Sequence, residues 1–344
     1  MMNCEILTFQ FAHNYGALLQ CYALKKCIES LGYNVSVSDF KPDSVEKVYK
    51  LWPEINIKHP RVFLRNLKRA IKRRKQHEIF ESFIKNEILY HKCDDPDYLF
   101  IGSDQIWNEE ITGAISEYYG TGYNNTTKVA YAGSFGTNVL TEFQKENILK
   151  YFPSFKKISL REPSNLEEVK RLTEQDIKCV LDPVFLLEKS EWEDFIKGLE
   201  FSVKRKYILF YALRNDDKLI NDIKELSEKL KCDVLSIHPT GIKYSSDFIQ
   251  LYNVGPREFI YLIKNAEMVG TNSFHAISFS QIFEKKVIYK SYSKNESRVP
   301  AIINYCGMEY EKNSSKIYDF GNCDTSLMFK ARIESQNFIK DVFN

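Results

Sequence analysis

The chain has eight cysteines but no C-x-x-C pair, and no Cys/His cluster at zinc spacing. That sets aside a zinc module and a dithiol redox site, and no metal is expected. Most of the cysteines sit in apolar runs, where the thiol acts as a small hydrophobe, and reduced thiols in a cytosolic protein are expected. No run approaches the ~20 apolar residues of a membrane span. The opening "MMNCEILTFQF" has no basic region leading into an apolar stretch, so no signal peptide is expected. On that reading the N-x-S/T triplets at Asn124 and Asn295 carry no meaning as glycosylation sites. Charge of one sign is also missing: the formal net charge is +2, so no global field points to nucleic acid. Low-complexity segments and short internal repeats are absent.

What remains is an ordinary globular composition, 44% hydrophobic and 27% charged, in 344 residues. That length exceeds what one core usually supports, so two domains are expected. "CEILTF" reads as a strand and "AHNYG" as a polar loop. Ala17, Cys21, Leu24, Ile28 and Leu31 then mark one face of a helix stopped by Gly32. With the strand "YNVSVSDF" this makes a βαβ unit. "DYLFIGSDQIWN", "KVAYAGSFG" and "FKKISLREPSNLEEVKRL" each run from a strand into a polar loop, with Ser164 or Asn165 as the N-cap of the last helix. In the second half "KYILFYALRND", "CDVLSIHP", "MVGTN" and "KVIYKSYS" read as strands between helices such as "GPREFIYLIKNAE". Both halves alternate β and α. The expected fold is therefore α/β, with two Rossmann-like parallel-sheet domains facing a cleft. Residues 1–188 would form the first and 189–344 the second, and the C-terminal helix would be free to pack back on the first.

Polar clusters follow the strands: Asn14-Tyr15-Gly16, Ser103-Asp104, Ser134-Phe135-Gly136, Arg161-Glu162 and Thr271 to His275. In open α/β sheets, ligands bind at the carboxyl ends of the strands, and helices starting there aim free N–H groups at anions. The same residues also admit structural roles. Asn14 and Gly16 suit a cap and turn, Ser273 an N-cap, His275 a packed histidine, Asp104 a cap, and Trp107 packing. Arg161 is harder to dismiss, because arginine is seldom buried unpaired.

The segments "NYGALLQCYALKKCIESLGY", "FIGSDQIWN", "YAGSFG", "SLREPSN", "VLDPVFLL" and "TNSFHAISFSQIFEKKV", in this order, resemble the polysaccharide pyruvyl transferase family. The likeness runs from about Asn14 to about Met308. Ala276 departs from it, where the family often has Gly after the histidine. The resemblance implies a GT-B-like fold. It also implies transfer of the enolpyruvyl unit of phosphoenolpyruvate to a sugar, with a pyruvate ketal formed and phosphate released. Phosphoenolpyruvate would be a co-substrate and no cofactor is needed. The acceptor implied by the resemblance is a lipid-linked surface-polysaccharide precursor, as in capsule or exopolysaccharide assembly. His275 and Asp104 are the implied catalytic residues. Arg161, Thr271, Asn272, Ser273, Asn14, Gly16, Ser103, Ser134 and Glu162 would bind substrate, with Lys285 and Arg298 as further anion ligands. A nucleotide-sugar glycosyltransferase would share the architecture, but glycine-rich loops after the early strands are lacking. A non-catalytic sugar-binding relative is the third reading.

One segment stands apart. "RVFLRNLKRAIKRRK", residues 61–75, holds eight Lys or Arg and no acid. Phe63, Leu67, Ala70 and Ile71 form a stripe at helical spacing. Such a helix would hold a cytoplasmic enzyme at the inner face of a membrane, dock on its own core, or receive an acceptor diphosphate.

Overall fold

The computed structural model describes residues 2–52, 60–88, 93, 95–113, 115–291, 298–312 and 316–344. Asn295 and the end of "KVIYKSYS" lie outside them. The first sheet contains β1 (Asn3–Leu7), β2 (Asn34–Val37), β3 (Tyr98–Ile101), β4 (Thr127–Gly133), β5 (Phe155–Leu160) and β6 (Lys178–Cys179). All its pairings are parallel, in the order β2-β1-β3-β4-β5-β6. The second contains β7 (Tyr207–Tyr211), β8 (Asp233–Ile237), β9 (Ile249–Gln250), β10 (Met268–Thr271), β11 (Lys286–Tyr289) and β12 (Ile317–Asp319). Its order is β12-β11-β10-β7-β8-β9. β12 runs antiparallel to β11, so the second sheet is mostly parallel. Among the described residues no helix stands between the helix Arg298–Tyr305 and the short strand "IYD".

Strand order decides where a site can form. In doubly wound sheets the crevice opens where the order reverses. In the first sheet that point lies between β1 and β3, and in the second between β7 and β10. The loops leaving these four strands carry Asn14, Ser103-Asp104, Leu213-Arg214 and Thr271-His275.

The helix Tyr15–Ser30 joins the two halves. Asn14 caps it, accepting from the backbone N–H of Gly16 and Ala17 at 3.0 and 3.3 Å. The apolar spacing predicts one buried face, yet nearly the whole helix is buried. The reason is a second partner. Tyr15 stacks on Phe259 with ring centroids 4.8 Å apart, and Tyr22 lies against Trp192 and Phe195. One continuous apolar core therefore includes Leu18 and Leu24 from this helix, Phe100 from the first sheet and Phe279 from beside the second. The C-terminal helix Ser326–Lys340 packs on the first sheet, where Leu181 N donates to Ser335 Oγ at 2.9 Å and Phe338 meets Tyr131.

Other local readings change. Asn165 stands before the helix Leu166–Thr173 but its side chain makes no cap hydrogen bond, because a 3-10 turn at Pro163–Asn165 precedes it. Trp107 is buried among Tyr119, Phe135 and Phe152, a packing residue. All eight cysteines are free.

Candidate active site

The site is built around a residue that strand-end reasoning passes over, Asp182. It follows β6 in "VLDP" and is fully buried. Its Oδ1 accepts from Val184 N at 3.1 Å. Its Oδ2 accepts from Arg161 Nη1 at 2.9 Å and lies 3.5 Å from His275 Nε2. Ser103 Oγ sits 3.2 Å from the same oxygen and 2.9 Å from the Ala132 carbonyl, so its single proton serves one acceptor at a time. Burial alone would raise the Asp182 pKa. The adjacent His275, the Arg161 guanidinium and the Val184 N–H outweigh it and hold the carboxyl well below the usual range. One carboxylate thus binds an arginine from the first domain and stands within ion-pair distance of a histidine from the second.

Arg161 leaves β5 and is itself buried. Nη1 is committed to Asp182. Nε and Nη2 have no hydrogen-bond partner among the described residues; Asp104 Oδ1 lies 3.6 Å from Nη2 and Glu162 Oε1 4.0 Å from Nε. That edge is the pair of donors that grips carboxylate or phosphate bidentately. Glu162 Oε1 accepts from Ser134 Oγ and stands 4.0 Å from Arg298 Nε. Both guanidiniums lie over the Phe274 ring, Arg161 at 4.9 Å and Arg298 at 5.6 Å from its centroid. Asp104 has φ +73°, and its Oδ1 accepts from Gln105 N at 2.8 Å while staying partly open to solvent.

Gly16 reaches across to the second domain. A Cβ there would stand 2.0 Å from His275 Nδ1, so only glycine permits this approach. His275 is the second residue of the helix Phe274–Ile282, and its Nε2 has no hydrogen-bond partner among the described residues.

Arg161, Glu162, Asp104, Ser103, Ser134, Gly16, His275 and Arg298 therefore converge. Asn14 joins them through the cap beside Gly16. Three other residues hold the loop and helix together, and Ser273 does so as the N-cap that its position suggests. Thr271 Oγ1 donates to the Tyr211 carbonyl at 2.5 Å and accepts from Ser273 N. Asn272 clamps the loop after β7, accepting from Leu213 N at 2.7 Å and donating to Arg214 O at 2.8 Å. Ser273 caps its helix, accepting from Ala276 N. These groups shape the crevice with bonds spent inside the protein. Lys285 is a correction: it precedes β11, at the amino end of the sheet, opposite the crevice. Its charge is disfavoured by burial, and Glu267 at the start of β10 is its acidic neighbour. It cannot serve this site. Asp182 and Phe274 were missed, although both lie inside quoted motifs. An Asp before Pro after an apolar run was the available signal.

No metal cluster is legible from spacing, yet folding brings ligand atoms of His13, His77 and Glu81 within 4.8 Å of one another. His13 Nε2 is already hydrogen-bonded to Glu81 Oε1 at 2.7 Å, and its ring stacks on Phe80.

Fold and crevice define a two-domain α/β protein of GT-B type with an arginine-rich interdomain site. The same architecture appears in the UDP-N-acetylglucosamine 2-epimerase of Rickettsia bellii, which is 9% identical with a TM-score of 0.52 over 100% of this chain and 96% of that one. The Neisseria meningitidis enzyme bound to UDP-GlcNAc has 9% identity and a TM-score of 0.51, over 100% and 94%. At such identity the likeness concerns the fold alone. No curated protein sequence matches. The profile of the family described as polysaccharide pyruvyl transferase matches residues 14–294, most of the chain. The chain belongs to that family, and so is a pyruvyltransferase with a sugar or polysaccharide acceptor. Among the described residues no helix is long and apolar enough to cross a membrane.

Proposed function

We propose that the donor is phosphoenolpyruvate, used as a co-substrate without a further cofactor. The acceptor is a sugar of a lipid-linked surface-polysaccharide precursor, met at the inner face of the membrane. The observation that carries the donor reading is the pairing of Arg161 and Arg298 over Phe274, with the Nε/Nη2 edge of Arg161 making no hydrogen bond among the described residues. A ligand with one carboxylate and one phosphate needs two such anion sites. Arg161 takes one group. Arg298 and the N-terminus of the helix Phe274–Ile282 take the other.

The reaction adds two sugar hydroxyls to one carbon. The donor's methylene carbon gains a proton, and C2 becomes a methyl-bearing, oxocarbenium-like centre. One sugar oxygen bonds to C2, the C2–O bond to phosphate breaks, and the second oxygen closes the ketal. The two hydroxyl protons balance the methyl proton and the released phosphate. His275, oriented by Asp182, is the residue suited to move a proton. Asp104, a carboxylate partly open to solvent and 3.6 Å from Arg161 Nη2, is suited to take one from a hydroxyl. The basic helix Pro60–Lys72 supports an acceptor presented at an anionic surface: Arg61, Arg65 and Lys68 face outward. Of its apolar stripe Ala70 is buried, Phe63 and Leu67 are half-buried and Ile71 is exposed, so the stripe docks in part.

The test is mass spectrometry of acceptor sugars incubated with the protein and phosphoenolpyruvate. A product gaining pyruvate and losing water supports the reading. A hexose gained from a nucleotide sugar would replace it with glycosyl transfer. Arg161→Lys keeps a cation beside Asp182 but removes the fork, and phosphoenolpyruvate affinity should fall at least tenfold. Unchanged affinity would take Arg161 out of donor binding.

A further inference from the structure

A second concentration of positive charge lies beside the crevice, and the site described above does not use it. A recess of about 570 Å³ opens between the 47–52 stretch of the first domain, the helix Pro60–Lys72 and the loop after β8. Its lining includes Lys47, Lys50, Arg69, Arg73, Trp52 and Thr240, and among the described residues no acidic one. Four cations in one concavity focus a field that a flat basic face does not.

Arg73 distinguishes this recess from a solvated basic helix. It stands between Pro60–Lys72 and the next helix, Arg74–Phe83, and is only 4% exposed. Its Nε and Nη2 have no hydrogen-bond partner among the described residues. Burial, with Arg69 close by, lowers its pKa to about 10. A buried guanidinium without its bonds is costly, and an anion of the right shape removes that cost. The second domain comes close to the arginine stems: a Cβ added to Gly241 would stand 3.5 Å from Arg73 Cβ and 3.6 Å from Arg69 Cγ.

The recess also communicates with the catalytic residues. Gln76, one turn beyond Arg73, donates to Tyr15 Oη at 2.8 Å, and Tyr15 precedes the Gly16 that touches His275. On the other side Tyr49, inside the 47–52 stretch, is raised to about 12 by burial and by the charge of Asp104. Tyr49 and Gln76 thus connect the walls of the recess to the neighbourhood of Asp104 and of Gly16.

We propose that this recess is a diphosphate subsite, holding the diphosphate through which the acceptor sugar is carried. It rests on the reading that the acceptor is a carrier-linked sugar. Arg73 and Arg69 supply fixed forks to the oxygens, and Lys47 and Lys50 close the open side as point charges. Trp52, 55% exposed at the rim, covers the group beyond the diphosphate. That group is a polyprenyl chain or a nucleoside; the diphosphate chemistry is common to both.

The test titrates the full chain with inorganic pyrophosphate, UDP and farnesyl diphosphate, by calorimetry and by acrylamide quenching of tryptophan fluorescence. Trp107 and Trp192 are buried, so quenching reports Trp52. Pyrophosphate should bind and shield Trp52, more weakly as salt rises. Lys47→Gln/Lys50→Gln, on exposed residues, should weaken it at least tenfold, and Arg73→Gln further. Arg161→Lys should leave it unchanged. Tighter farnesyl diphosphate than UDP assigns a lipid carrier, and the reverse a nucleotide. Pyrophosphate binding that survives the double lysine variant overturns the subsite, whether or not Arg73→Gln folds. So does affinity for phosphatidylglycerol vesicles with none for pyrophosphate. Phosphoenolpyruvate is titrated in parallel. Its failure to bind, with pyrophosphate retained, would remove the donor reading and leave the subsite standing.

Discussion

At the residue scale, Gly16 and His238 carry sharp consequences. Gly16 lies in a helix, so alanine would favour the backbone. The new methyl would nonetheless overlap the His275 ring, which must swing away from Asp182. Gly16→Ala should cost about 1–3 kcal/mol as an overpacked contact. It should lower turnover at least tenfold, read by thermal melts beside the ketal assay; full activity would mean that His275 is not held by this contact. His238 is buried, and its Nδ1 accepts from Thr240 N at 3.1 Å. Burial, with help from Arg69 and Arg73, lowers its pKa to about 4. The unfolded chain takes up this proton near pH 6.5 and the folded chain only near 4. The corresponding stability is present above pH 6.5 and lost as pH falls to about 4, a difference of roughly 3 kcal/mol. His238→Asn, which keeps an acceptor for Thr240, should flatten the melting-temperature slope in that window. An identical slope in the variant would assign the loss to other groups.

At the scale of elements, the chain's last segment ties the molecule together. Phe343 stacks on Tyr33 with centroids 3.8 Å apart and touches Tyr98 and Phe100. Lys156 Nζ donates to the Val342 carbonyl at 2.7 Å. The end of a chain whose second sheet closes at Asp319 thus caps the first sheet. Phe343→Ala should destabilise by less than the roughly 3–5 kcal/mol of a fully buried Phe, because Phe343 is half-buried. Urea unfolding measures it, and a midpoint unchanged from the parent would show that this contact adds nothing. Sequence periodicity located most elements but not their partners. The helix Tyr15–Ser30 shows why: Tyr15, Tyr22 and Lys25 lie off the apolar stripe, yet the second domain and the 84–88 turn bury them. A period reports one face against one layer, and this helix has two.

At the scale of the molecule, the shared core through Leu24, Trp192, Phe259 and Phe279 predicts that the two sheets unfold together. A single calorimetric transition is expected, with equal calorimetric and van't Hoff enthalpies. Two separated transitions would mean that the interdomain packing is weaker than this continuity implies. The same continuity sets what each level of description could reveal. The amino-acid sequence by itself determined the alternation of strands and helices, the polar loops at strand ends, and the candidacy of Arg161, Glu162, Asp104 and His275, because these depend on local pattern and on motifs in order. Tertiary structure alone decided that Asp182 joins Arg161 to His275, that Gly16 must be bare, that Thr271 and Asn272 spend their bonds internally, and that Lys285 lies at the wrong end of its strand. It also decided that Arg73 Nε and Nη2 lie buried beside a recess with no hydrogen-bond partner among the described residues. Each of these depends on which distant backbone arrives alongside. Strand order and interdomain contact set that arrival, and neither leaves a period in the sequence.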